Sequence, residues 1–300
     1  DYYHSFASLK KAIEFAKAGN VITLIRNIEA SDIITINKAI TLDGNGKKLT
    51  STAARAINVE TDGSVTISNL TINAGERAFN IINKPATVEL NGVTAIAKNN
   101  AVMVATSAGA VQLAVNDCDF TGLAVVNVAG AGAQVTIADT KITNVDANKD
   151  ENYGAITVWS SANGASVAVT GGEIVIADDS KKAYVFPADA TVTGVDEVGY
   201  IVATVGDAGF DTLDEALEYA QAGSTVELVR DITSSEIIVI EKSVTINGNG
   251  KTLTSTATRA FNIDTDGEVT INKMIVNAGE RAFNIINKPA TVELNGVTAI

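Results

Sequence analysis

The residues of this chain best placed to do chemistry are Asp146, Asn148 and Asp150, whose oxygens recur at i, i+2 and i+4. That is the spacing with which an EF-hand loop aims its first three ligands at calcium. The match then stops, because Glu151 stands where the turn glycine belongs and Thr157 where the bidentate glutamate belongs. The three residues are therefore the chain's metal candidate, a weak calcium site of the millimolar extracellular type, set against a solvated Asx-rich turn. No other cofactor is expected. His4 is the single histidine, and the matching position of the internal copy described below holds Ala208, so it does not read as a catalytic base. Asp178 and Asp179 form an acidic pair, but within IADDSKKAYVF they read as a polar turn rather than as glycosidase carboxylates. Arg55, Arg77, Arg259 and Arg281, with Glu76 and Glu280 beside two of them, could supply the basic group of a lyase. Their recurrence instead predicts a stacked, salt-bridged outer face.

The elements that would position these groups follow from repetition. Thr41–Ile96 aligns without a gap on Thr245–Ile300, an offset of 204 residues, and NAGERAFNIINKPATVELNGVTAI occurs at 73–96 and again at 277–300. Upstream, FASLKKAIEFAKAG (6–19) matches FDTLDEALEYAQAG (210–223). The spacing Leu9, Ala12, Ile13, Ala16 puts one apolar stripe on a short helix over about 8–17, repeated over about 212–221. Ser8 and Thr212 are the expected N-caps, and Gly19 and Gly223 the expected left-handed C-terminal residues.

After the helix a finer period takes over. Leu42, Ile67, Leu90, Val115, Ile137 and Val169 recur within alternating apolar runs at steps of 25, 23, 25, 22 and 32 residues. A second recurring strand lies between them, as RAINV, RAFNI, NAVMV, LAVVNV, AITVW and AYVF, bounded by Gly, Asn and Asp turns. A repeat of 22–25 residues holding at least two strands and no helix fits one coil of a parallel β-helix. Asn58 over Asn80 and Arg55 over Arg77 are expected as ladders, and VDANKDENYG (145–154) as an insertion looping from one corner. The helix would cover the open apolar end of the solenoid. The expected organisation is a first unit over 1–203, with coils at about 21–195, and a second, partial unit over 204–300. The chain thus reads as an excerpt of a longer repeat protein.

Composition sets the function classes. A formal net charge of −13 leaves no basic patch to displace phosphate counterions, which excludes a nucleic-acid partner. No apolar run of 18 residues predicts membrane insertion, and one cysteine, Cys118, permits no internal disulfide. Aromatics are only 5% against 46% hydrophobic residues, so the core is built from Val, Ile, Leu and Ala.

The string TVGDAGFDTLDEALEYAQAGSTVELVRDITSSEIIVIEKSVTINGNGKTLT (204–254), with Phe6–Thr50 as its fainter copy, resembles the start of pectate-lyase-like β-helix modules of large secreted bacterial surface proteins. The resemblance implies an all-β, right-handed parallel β-helix in tandem units, each opened by a capping α-helix, in an adhesin-like, extracellular, cell-surface setting. It carries over no active site, since solenoids of this kind serve enzymes and non-enzymes. The expected role is a non-enzymatic stalk or adhesive surface whose partners are carbohydrate, host or matrix surfaces, or neighbouring copies. The alternatives are a polysaccharide lyase or hydrolase on acidic glycans, and a self-assembling filament or surface-layer subunit.

Overall fold

A computed structural model describes residues 4–145, 153–177, 182–187, 191–193 and 198–300. The chain divides into two compact units, Asp1–Gly199 and Tyr200–Ile300. Both are all-β solenoids of parallel strands, each introduced by one seven-residue helix, Leu9–Phe15 or Leu213–Tyr219.

Every apolar step read in the sequence is a register partner in the first unit. Leu42 pairs with Ile67, Ile67 with Leu90, Leu90 with Val115, Val115 with Ile137 and Ile137 with Val169. All six are buried. Like sits on like because each coil is one period of the same apolar pattern, and burial of each such side chain stabilises by roughly 1.5–3 kcal/mol. The second recurring strand forms a seven-stranded sheet through Ile34–Ile36, Arg55–Val59, Arg77–Ile81, Asn100–Val104, Val126–Val128, Gly154–Val158 and Lys182–Val185.

Each coil holds three strands. The third appears separately in the second unit as Ile232–Ser234, Thr252–Ser255, Ile275–Ala278 and Thr298–Ala299, and in the first unit as Thr94–Ala97, Asp119–Gly122, Lys141–Asn144 and Glu173–Ile176. In two coils of the first unit it is fused to the first strand, giving Thr41–Ser51 and Ser64–Ala74. At this corner the coils pass closely at Gly44, where a Cβ would come within 2.4 Å of the Asn69 carbonyl oxygen of the next coil. Only glycine allows the coils to pass that closely.

The helices sit as the stripe predicts, with Leu9, Ala12 and Ile13, and Leu213, Ala216 and Leu217, buried against their solenoids. Ser8 Oγ accepts from Lys11 N at 3.3 Å and Thr212 Oγ1 from Glu215 N at 3.2 Å. The C-terminal ends differ from expectation. Both helices stop before the glycines, at Ala16 and Ala220. Gly19 (φ 83°) and Gly223 (φ 84°) instead turn the chain into the first coil, donating to the Ala39 and Ser243 carbonyls at 2.8 and 2.7 Å.

A lysine completes each helix end. Lys38 Nζ donates to the carbonyl oxygens of Ile13, Glu14 and Ala16 at 2.9, 2.8 and 2.8 Å. Lys242 Nζ does the same to Leu217, Glu218 and Ala220 at 3.3, 2.5 and 2.9 Å. Three donors on one ammonium meet carbonyls that have no intrahelical partner, at the negative end of the helix dipole. The same bonds tie the helix to the first coil. In the second unit an antiparallel hairpin, Ala203–Val205 with Ala208–Phe210, extends the sheet beside Ser224–Leu228.

Candidate functional site

Asp146, Asn148 and Asp150 lie outside the described residues, as do Asp178 and Asp179. His4 stacks near Phe15 and Phe6, with ring centroids 4.8 and 6.5 Å away, in an aromatic cluster beside the first helix. Arg55 and Arg77 are in register, as are Arg259 and Arg281. Among the described residues no salt bridge is formed by these arginines, so the expected salt-bridged face is not seen there. Arg77 Nε donates to Asn100 Oδ1 at 3.1 Å, because the residue above it in the next coil is an amide and not a carboxylate. Among the described residues no three or more of His, Cys, Asp and Glu gather as a metal site. Cys118 is buried and free, and loss of water pushes its thiol up to about 11, away from nucleophilic chemistry. Burial likewise pushes the Tyr184 phenol, whose hydroxyl has no partner, up to about 12.

What the fold does assemble is two rows of polar side chains. The first runs along the seven-stranded sheet through Thr35, Asn58, Asn80, Met103, Asn127 and Thr157. Ile34 and Ile36 point into the core, so Thr35 and its register partners point away from it. Asn80 Nδ2 donates to Asn58 Oδ1 at 3.2 Å. The ladder breaks at Met103, which has no N–H to offer, and Asn80 Oδ1 is left without a partner in a residue only 1% exposed. One coil further on, Asn127 Oδ1 accepts from Trp159 Nε1 at 2.6 Å. Tyr153 and Trp159 stand just before and just after the strand Gly154–Val158, and their rings meet edge to face, 5.7 Å between centroids and 76° between planes.

The second row lies at a turn of the second unit. Asn295 Nδ2 donates to Asn272 Oδ1 at 3.0 Å, Asn272 Nδ2 to Asn247 Oδ1 at 2.9 Å, and Asn247 Nδ2 to Glu227 Oε1 at 2.6 Å. Asn249 reaches the other oxygen of Glu227 at 2.9 Å. With Lys273 and Gly296 these amides line an open recess of about 430 Å³. Chemically the turn row offers hydrogen-bond donors and acceptors at the coil repeat of about 4.8 Å, whereas Asn58, Asn80, Asn127 and Thr157 of the first row are buried.

The Asn58–Asn80 ladder was legible in the sequence; the lysine clamps, the turn amides and the Trp159–Asn127 bond were not. Their one available signal was the recurrence of Lys38 at Lys242 and of Asn45 at Asn249 in the aligned copies.

No protein-family model matches the chain, and no curated protein is similar to it at a significant level. Among solved structures it is similar to L. reuteri 53608 SRRP, with 15% identity, a TM-score of 0.41 and 97% of each chain covered. It is also similar to the SRRP of L. reuteri 100-23, with 15% identity, a TM-score of 0.36 and 97% and 96% covered. A PL6 family alginate lyase, AlyGC in a mutant form, follows with 10% identity, a TM-score of 0.26, and 96% of this chain and 74% of that chain covered.

Proposed function

We propose that this chain is a structural and adhesive, non-catalytic module of a secreted bacterial cell-surface repeat protein. The observation that supports the reading is the in-register repetition of solvent-reaching polar side chains at the turn of the second unit, Asn247, Asn272 and Asn295 in series. Such rows suit many modest contacts whose sum grows with the number of coils, whereas an active site needs different groups converging on one point. The partner in this reading is a carbohydrate-bearing surface. Asp146, Asn148 and Asp150 belong to the proposal as a calcium site of millimolar affinity.

The test is incubation with pectin, alginate and host glycans, followed by assay of both products and bound protein. Depletion of the protein onto the glycan without new chain ends is the expected result. Release of unsaturated or reducing ends would overturn the non-catalytic reading in favour of a lyase or hydrolase. Filaments seen by electron microscopy without any glycan binding would favour self-assembly instead.

A further inference from the structure

Trp159 is the only tryptophan of the chain, and it is partly exposed together with Tyr153. An indole buried as part of a core would need its N–H satisfied inside the core. Here the N–H goes to Asn127, a buried amide 5% exposed, on the outward row of the sheet. The bond fixes the plane of the indole on the outside of the solenoid. In an edge-to-face pair one ring contributes only its rim, so both faces of that ring stay clear of its partner. Along the turn below, the backbone N–H of Trp159 bonds Val128 O, that of Ala129 bonds Val104 O and that of Ala105 bonds Ile81 O. Trp159 therefore stands in line with Ala129 and Ala105 of the two coils beneath it, a large ring in a column of small side chains. Ser160 is exposed next to it.

Resting on the carbohydrate-binding reading above, we propose that Trp159 and Tyr153 form a stacking platform for a pyranose ring of a saccharide. The aliphatic C–H face of a pyranose lies against an aromatic face, while its rim of hydroxyls needs donors and acceptors alongside. A rigid aromatic area, a few polar groups and a ring held in one orientation are what such recognition uses. Asn127 is a positioning residue, acting through the indole it orients.

Because there is one tryptophan, its emission reports this site alone. The intact chain is titrated with trigalacturonate, a mannuronate trimer, chitotriose and cellotriose while Trp159 fluorescence and binding heat are followed. A saturable change in emission with at least one of these is expected. Affinity for that saccharide should fall about tenfold or more in Trp159→Ala and less in Tyr153→Ala. In Asn127→Ala the emission of the free protein should shift and affinity fall while the melting temperature moves little. Should Trp159→Ala not fold, Tyr153→Ser and Trp159→Phe, which keeps a ring but loses the bond to Asn127, decide the matter. Saccharide binding that leaves emission unchanged and survives Trp159→Ala would overturn the platform and leave the adhesive reading standing. Absence of binding to all four saccharides by the unaltered chain would overturn the platform, and the adhesive reading falls with it only if pectin, alginate and host glycans are not bound either.

Discussion

The same turn is built twice in this molecule, with different side chains. In the second unit Glu227, Asn247, Asn272 and Asn295 form one unbroken run of amides ending on a carboxylate. The positions 204 residues earlier are Thr23, Asp43, Ser68 and Asn91. There the carboxylate has moved up one coil, and Asp43 Oδ1 accepts from Asn45 N at 2.9 Å and Asn69 Nδ2 at 3.2 Å. Ser68 interrupts the run, which resumes as Asn116 Nδ2 to Asn91 Oδ1 at 2.8 Å. An amide ladder is directional, each rung donating to the one before, so its first rung has an N–H left over. In the second unit Glu227 takes that place; in the first unit Ser68 separates Asp43 from the Asn91–Asn116 pair, and Asp43 serves the turn residues Asn45 and Asn69 instead.

The helix caps, by contrast, are alike in both units, and the largest effects are expected there. Ile13→Asp and Leu217→Asp should each destabilise their own unit by about 3 kcal/mol or more, since each buries a charge with no partner. Calorimetry that resolves two transitions should show one moving and the other staying. A melting profile unmoved by Ile13→Asp would mean that the helix is not docked. Next come Lys38→Met and Lys242→Met, which keep the aliphatic stem and remove three charge-assisted donors. A loss of about 1–3 kcal/mol in each unit is expected, with faster amide exchange in the helix. Unequal losses in the two units would break the equivalence of the caps.

The turns should respond more gently and in opposite directions. Glu227→Gln replaces an acceptor-only head group by one that also donates, so about 1 kcal/mol of the second unit's stability should go. Ser68→Asn fills the gap between Asp43 and Asn91 and should stabilise the first unit by about 0.5–1 kcal/mol in a thermal melt. A destabilising Ser68→Asn would show that the turn lacks room for a continuous row. The smallest effect concerns Cys118. Its folded thiol is raised from 9.0 to about 11, so the folded state holds the proton more tightly. Stability from this group is complete below pH 9 and is lost as pH rises toward 11. Thiol-reagent labelling at pH 8 should be slow and should track global unfolding.

Much of this was legible in the residues, for a definite reason. Inward columns such as Leu42, Ile67 and Leu90 must be apolar in every coil, so the period of the fold is printed in hydropathy, and the step of 32 marks the insertion before Gly154. The third strand is hard to separate in the sequence because in two coils it continues the strand before it and elsewhere only a short turn, such as Gly92-Val93, divides the two. The lysine clamps were missed because Lys38 acts on carbonyls 22–25 residues earlier, a proximity created only when the coil closes. The arginine column was placed correctly in register and given the wrong partners. Hydropathy fixes which coils stack, but not whether the residue stacked on Arg77 is Asn100 or an acid.

The turn row also sets how this protein ages. Asn247, Asn249 and Asn295 each precede a glycine, as do Asn45 and Asn91. That is the pairing in which the following backbone nitrogen can attack the side-chain amide and expel ammonia to close a succinimide, which water then opens to aspartate or isoaspartate. While the row is intact the amides of Asn247 and Asn249 are held by Glu227. One hydrolysed rung puts a second carboxylate against that acid where an N–H used to be. The repulsion loosens the neighbouring amides and exposes them to the same chemistry, so slow damage in this turn is expected to spread from coil to coil rather than strike at random.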